Sequence, residues 1–288
     1  MAPQLLDTSF PGFAKLAPDA RASLLVVHGL AEYAGRYLDL ADALSKRGVS
    51  CFAYDQIGHG GRSGVRTHVA RFDDLVADLR TAARAVRAHA QRAPLFVWGH
   101  SLGAVVAALA ALELPHSSAG VIATSNSLEI FRRGTNPLHP VFRALSTIAP
   151  RIRIPLGLVA RKISSDPSVQ RAYATDPQIP STASLRLIVE FAKACERVRV
   201  LAAQATTSWL VVHGEVDEIA PASGSQALYD LLGASDKTLV IYPGLRHEVH
   251  NEHPAAAAAF LELMAGWMLA RAGAAPESEV RASRSAAV

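Results

Sequence analysis

Val97-Trp98-Gly99-His100-Ser101-Leu102-Gly103-Ala104 is the stretch on which the fold turns: an apolar, strand-like run stops at Gly-x-Ser-x-Gly and a helix-like run starts straight after it. That is the setting of a nucleophile elbow. A serine hydroxyl is a poor nucleophile unless a tight turn presents it beside a base, and the flanking glycines remove side chains that would clash there. Ser101 is therefore the candidate nucleophile. The five-residue pattern is weakly specific by itself, so the rest of the chain has to supply its context.

Outward from the elbow, short β-rich apolar runs alternate with helical patterns, the signature of a mostly parallel sheet covered on both faces. The strand-like runs are Leu24 to His28, Val49 to Asp55, Leu95 to Gly99, Gly120 to Thr124, Trp209 to His213 and Thr238 to Tyr242. Helical periodicity marks Tyr37 to Lys46, Phe72 to Ala90, Leu102 to Leu114, Ser225 to Leu232 and Ala255 to Ala272. Between about Ser125 and Ala205 no clear strand is legible, and seven prolines from Pro137 to Pro180 interrupt short amphipathic pieces. The expected organisation is an α/β sheet core over 1–124 and 206–273, a helical cap inserted over 125–205, and a flexible polar tail over 274–288. Long insertions of this kind often form lids over a site.

The 288 residues suffice for one large domain with an insertion. Half are hydrophobic and 19% are charged, the balance of a soluble globular protein. The start, Met1-Ala2-Pro3-Gln4-Leu5-Leu6-Asp7, lacks a basic and then apolar signal segment, so a cytoplasmic protein is expected. The most apolar run, Leu102 to Leu112, is too short for a bilayer, and no transmembrane anchor is expected. Cys51 and Cys195 read as buried thiols. Of the net charge of +4, the segment from Glu129 to Lys162 carries the whole excess, with seven basic residues against one acid.

A serine nucleophile needs a base for its proton and an acid to orient that base. In open α/β sheets both belong at the carboxyl ends of strands. Asp217 stands just past one such strand, in His213-Gly214-Glu215-Val216-Asp217-Glu218, with Glu215 and Glu218 as rival carboxylates. His247 stands past the next, in Tyr242-Pro243-Gly244-Leu245-Arg246-His247-Glu248, whereas His250 and His253 fall on the helical run that follows. The order Ser, Asp, His is that of α/β-hydrolases. For the oxyanion, the Leu102 N–H after the nucleophile and the Leu30 N–H after the strand ending at His28-Gly29 are the candidate donors. The segment from His247 to His253 lacks His-Glu-x-x-His because position 251 is asparagine, so no metal and no cofactor are expected.

Together these pieces resemble the monoacylglycerol lipase and lysophospholipase group of α/β-hydrolases. The resemblance runs through His28-Gly29-Leu30-Ala31-Glu32-Tyr33-Ala34-Gly35-Arg36-Tyr37, Tyr54-Asp55-Gln56-Ile57-Gly58-His59-Gly60, the elbow, the Asp217 loop and the run holding His247. It implies a cap over an acyl-binding pocket and hydrolysis of carboxylic esters such as monoacylglycerols, with Ser101, Asp217, His247 and the N–H groups of Leu30 and Leu102 in the catalytic roles. Three departures stand out: Ala104 replaces a frequent glycine, Gly61-Arg62-Ser63 displaces a serine, and the segment before Leu24 is short. His59 is read as a turn histidine rather than a site wall, and Asp55 as a loop organiser.

Two readings of the basic segment stay open: contact with a lipid surface, or a solvated face paired with acids. No nucleic-acid motif accompanies the charge, and nothing fixes the oligomeric state. Short-chain carboxylesterase, thioesterase and a non-catalytic small-molecule binder are the alternatives on the same scaffold.

Overall fold

The computed structural model describes residues 10–90, 93–114, 117–131 and 136–273. In chain order it holds β1 (Gly12–Lys15), β2 (Ala22–Val27), α1 (Leu38–Ser45), β3 (Val49–Tyr54), α2 (Phe72–Ala90), β4 (Leu95–His100), α3 (Leu102–Glu113) and β5 (Gly120–Thr124). Then come α4 (Pro140–Ile148), β6 (Arg153–Pro155), α5 (Ala160–Ile163), α6 (Pro167–Thr175), β7 (Thr182–Ser184) and α7 (Leu185–Leu201). The chain closes with β8 (Ser208–Gly214), α8 (Ser223–Leu231), β9 (Lys237–Tyr242) and α9 (Pro254–Ala272). This is the α/β-hydrolase fold.

Seven strands form one sheet in the order β1-β3-β2-β4-β5-β8-β9, parallel except for β1, which pairs antiparallel with β3. Every residue of β2, β3 and β4 is buried, because both faces of the sheet are covered. Successive side chains go to opposite layers. Leu25, Val27, Phe52 and Val97 pack with α2, α3 and α7, while Leu24, Val26, Ala53 and Trp98 pack with α1 and α9. Strand order reverses between β3-β2 and β2-β4, so the crevice at the carboxyl ends of β2 and β4 receives both the His28 loop and Ser101.

The insertion enters after β5 and leaves before β8, and these two strands are direct neighbours with Gly120 opposite Ser208. Two short strands do occur inside it, contrary to the expectation of none: β6 and β7 pair antiparallel with Arg153 opposite Ser184. At three residues each they are too short to show an alternating pattern. The insertion's last helix, α7, buries Leu187, Phe191, Cys195 and Val198 in the same cluster as α3 and so completes a helical layer of the core. Helix α9 is long and apolar enough to cross a membrane by length and composition, with a mean hydropathy of 1.3, yet it buries Phe260, Met264 and Met268 against the sheet. The tail 274–288, Arg132 and Arg133 lie outside the described residues.

Candidate active site

Strand β4 delivers Ser101 into a turn with φ 53° and ψ −117°, a left-handed backbone that a side chain ordinarily avoids. Its N–H donates to the Thr124 carbonyl at 2.9 Å, so β5 grips the turn from one side. The glycines grip it from the other. A Cβ on Gly103 would run into the backbone carbonyls of Val27 and His28, and one on Gly99 into the backbone of Gly103. Helix α3 therefore starts hard against the end of β2, and the N–H of Leu102, its first residue, has no preceding helical turn to accept it.

Asp217 and His247 come together past the ends of β8 and β9. Asp217 Oδ2 lies 2.7 Å from His247 Nδ1 and 3.0 Å from His213 Nε2, while Oδ1 accepts the N–H groups of Ile219 at 2.7 Å and Ala220 at 3.0 Å. Neither rival carboxylate meets a histidine. Glu215 accepts the Gly244 N–H at 3.1 Å, and Glu218 stands half exposed, 3.6 Å from Arg161 and from Lys162. Ser125 Oγ donates to the His247 carbonyl at 2.5 Å, which fixes the backbone of the same residue whose ring Asp217 holds.

The electrostatics follow from burial and contacts. Burial alone would disfavour the His247 cation, but the Asp217 carboxylate, with Glu248 and Glu32 behind it, lifts its pKa above the ordinary imidazole value. Burial would likewise raise Asp217, and its bonds to His247 and His213 instead hold it well below the ordinary carboxylate range. His100, whose ring centroid lies 4.8 Å from that of His247, is kept neutral by burial and by this neighbour.

The loop after β2 is braced from beneath. His28 Nε2 accepts the Gln56 N–H at 3.0 Å, and Gln56 Nε2 donates back to the His28 carbonyl at 2.7 Å. Asp55 accepts the N–H groups of Ala34 at 2.8 Å and Gly61 at 2.7 Å, so it organises two loops. His59 packs on His28 with ring centroids 5.2 Å apart and lies outside the cavity wall; burial lowers its pKa to about 3. Arg62, at the departure from the family's serine, reaches Asp78 at 3.1 Å and covers the Phe10 ring. The Gly29 N–H is taken by Glu32 Oε1, and Leu30, next in line, borders the cavity beside Ser101.

That cavity holds about 340 Å³ and has two kinds of wall. Phe131, Ile154, Leu156, Leu158, Ile188 and Phe191, all from the insertion, make one side apolar. Glu32, Arg36 and Glu248 make the other charged. Arg36 sits between the two carboxylates, 2.5 and 2.8 Å from the Glu248 oxygens and 3.0 Å from Glu32 Oε2. Burial raises the pKa of Glu32, whereas the paired guanidinium wins at Glu248 and lowers it.

The histidines after His247 disperse. His250 is buried against Tyr37, Trp98 and His100, with burial lowering its pKa to about 4, and His253 accepts the Ala256 N–H at the start of α9. Among the described residues no three His, Cys, Asp or Glu side chains gather as a metal site. Sequence reasoning missed His213, Ser125 and the joining of Glu32 to Glu248 through Arg36. Ser125 and the Arg36 link act across 122 and 212 residues of chain, beyond any spacing signal, whereas His213 stands four residues before Asp217, a spacing that past a strand end says nothing of which way either side chain turns.

The family profile described as "Serine aminopeptidase, S33" matches residues 18–254. The monoacylglycerol lipase of Mycolicibacterium smegmatis is 32% identical over 239 residues, covering 81% of this chain and 84% of that protein. The human monoglyceride lipase is 30% identical, covering 81% of this chain and 78% of that protein. Among solved structures, a monoacylglycerol lipase of Paleococcus ferrophilus superposes with a TM-score of 0.82 at 26% identity, over 91% of this chain and 99% of its own. A soluble variant of the Saccharomyces cerevisiae monoglyceride lipase, bound to a substrate analog, gives 0.82 at 25% identity over 91% of each chain.

Proposed function

This chain belongs to the serine aminopeptidase S33 family and is a serine ester hydrolase; from that premise we propose that it cleaves monoacylglycerols or closely related lipid esters through an acyl-enzyme on Ser101. The observation that carries the reading is one cavity bordered by Ser101 and His247, apolar on one side and charged on the other, with Asp217 bonded to His247 at 2.7 Å. The apolar wall suits an acyl chain. The Glu32, Arg36 and Glu248 wall suits an alcohol rich in hydroxyls.

His247, its Nδ1 proton held by Asp217, takes the Ser101 proton on Nε2 as Oγ attacks the ester carbonyl. The N–H groups of Leu30 and Leu102 receive the oxyanion. His247 then protonates the departing alcohol, and a water activated by the same ring releases the acid. Residues 125–205 act as a cap over this chemistry, with α7 rooting the cap in the core.

Val141, Leu145, Ile148 and Ile152 are exposed on and beside α4, close in sequence to Arg143 and Arg151. This mixture supports transient contact of the cap with a lipid surface. A second reading, a short-chain carboxylesterase, is favoured by one number. The cavity volume lies near the lower end of the roughly 300–1,000 Å³ typical of ligand sites.

Hydrolysis rates for monoacylglycerols and simple esters from two to eighteen carbons, with lysophospholipids alongside, decide between the two. A maximum at medium or long monoacylglycerols supports the lipase reading, and a sharp short-chain optimum replaces it with the esterase. Fluorophosphonate labelling followed by mass spectrometry should mark Ser101, and label found elsewhere overturns the nucleophile. Asp217→Asn should cost on the order of 10⁴ in kcat and Glu215→Gln about twofold at most; the reverse ranking moves the acid to Glu215.

A further inference from the structure

The most closely satisfied group near the site is one that the mechanism above does not use. His213 is the penultimate residue of β8, and its ring is fully buried. Its Nε2 faces two oxygens, Asp217 Oδ2 at 3.0 Å and the Ala220 carbonyl at 2.9 Å. Neither oxygen can donate, so Nε2 carries the proton and shares it between them. Nδ1 lies 2.7 Å from Ser225 Oγ in the first turn of α8, and Asn126 Nδ2 donates to that same oxygen at 3.1 Å. The Ser225 hydroxyl proton is then left to point at Nδ1, which locks the histidine's orientation. A buried line of bonds thus runs from the loop after β5 through α8 and β8, and ends on the carboxylate oxygen that His247 also binds.

We propose that His213 is a positioning residue for the hydrolysis described above: its N–H fills one acceptor direction of Asp217 Oδ2, fixes the rotation of the carboxylate, and moderates the negative charge presented to His247. The inference rests on the Ser101, His247, Asp217 reading. With two backbone donors on Oδ1 and two histidine donors on Oδ2, the carboxylate is fully satisfied and has a single orientation. Without His213, Oδ2 keeps only His247 as a donor. The carboxylate then pulls harder on the imidazolium and is freer to turn away from it.

The other groups around His247 are Glu248 and Glu32, which favour its cation, and His100 and His250, which face it as buried rings; Arg36 compensates both glutamates. Of these, His100 also senses His213, but burial is the larger cause that keeps it neutral, and that burial stays when His213 is replaced. The acid limb of kcat/KM, which reports protonation of the free enzyme's base, therefore isolates the effect.

The test compares His213→Leu, which fills the space without a donor, with His213→Gln, whose amide nitrogen reaches the place of Nε2. Full pH profiles are measured on one soluble chromogenic ester, beside Ser101→Ala. The Leu variant should move the acid limb upward by about half a pH unit and lower kcat roughly tenfold at nearly constant KM, and the Gln variant should restore both. If both variants lose kcat alike while the limb stays fixed, His213 is only packing and the proposal falls. Should the Leu variant fail to fold, Ser225→Ala takes its place. It removes the hydroxyl that holds Nδ1, so the ring and its N–H are freer to swing off Asp217 Oδ2; the limb should shift the same way, and an unmoved limb there overturns the proposal equally. An active Ser101→Ala would sink the underlying mechanism instead. An inactive Ser101→Ala with unmoved His213 limbs sinks this inference alone.

Discussion

Ser101 occupies a backbone conformation that glycine would adopt more comfortably, and holding a serine there costs about 1–3 kcal/mol. That strain sets the hydroxyl at the crevice, and it makes stability and activity separable at one position. Ser101→Gly should lose on the order of 10⁴ to 10⁶ of turnover yet melt no lower than the parent chain, which calorimetry and an ester assay would check together. His247 gives the second residue-scale expectation. In the proposed mechanism its base form is the active one, and its pKa is raised, so kcat/KM should climb with pH through a midpoint above the ordinary imidazole value of about 6.5. Its linkage to stability has the opposite sign: a raised folded-state pKa contributes stability that is full below about 6.5 and is lost as pH rises through the folded value. Asp217, held low, contributes stability above about 3.9 that is lost as pH falls through its depressed value. An acid limb centred well below 6.5 would contradict the Asp217 to His247 pairing.

Among the elements, the join of β4 to α3 carries the most constraint. Gly103 lets α3 touch the end of β2, where any Cβ would meet two backbone carbonyls that cannot rotate away. Gly103→Ala should therefore cost at least about 2 kcal/mol in denaturant unfolding and reduce activity as well, because the helix that presents the Leu102 N–H is pushed off the sheet. An alanine variant with full stability would mean that α3 has room to shift. Helices α1, α2, α3, α8 and α9 and the six parallel strands were legible to within a few residues, because their periods of 3.6 and their β-rich runs report local geometry, whereas the 17-residue α7 was hidden in a stretch read as short amphipathic pieces. Strands β1, β6 and β7 were not, since three or four residues of partly exposed edge carry no such period.

Across the whole molecule, Arg36 ties the loop after β2 to the residue beside His247, and the segment inserted between β5 and β8 leans on both. Tyr173 of α6 lies against the Arg36 guanidinium, Tyr33 Oη donates to Asp176 at 2.8 Å, and the Glu248 N–H donates to the Ile163 carbonyl at 2.8 Å. Removing the guanidinium leaves two buried carboxylates uncompensated. Arg36→Met should lose about 3–5 kcal/mol at neutral pH, with a deficit that shrinks as pH falls and the carboxylates take up protons. Urea unfolding at several pH values measures this, and a deficit independent of pH would contradict the ionic account.

The sequence by itself determined the sheet's parallel character, and it supplied the proposed nucleophile Ser101, the proposed acid and base in that order, and the proposed interval of the insertion. Each of these is written in local residue patterns, and strand ends bring the three side chains to one edge whatever the details of packing. Only the tertiary structure decided that Asp217 rather than Glu215 or Glu218 meets His247. It alone brought His213 and Ser125 behind the pair and drew Glu32 and Glu248 onto one arginine. Those choices depend on which way a side chain leaves a loop and what it meets across distant segments, and desolvation then sets their charge. Neither is encoded in spacing.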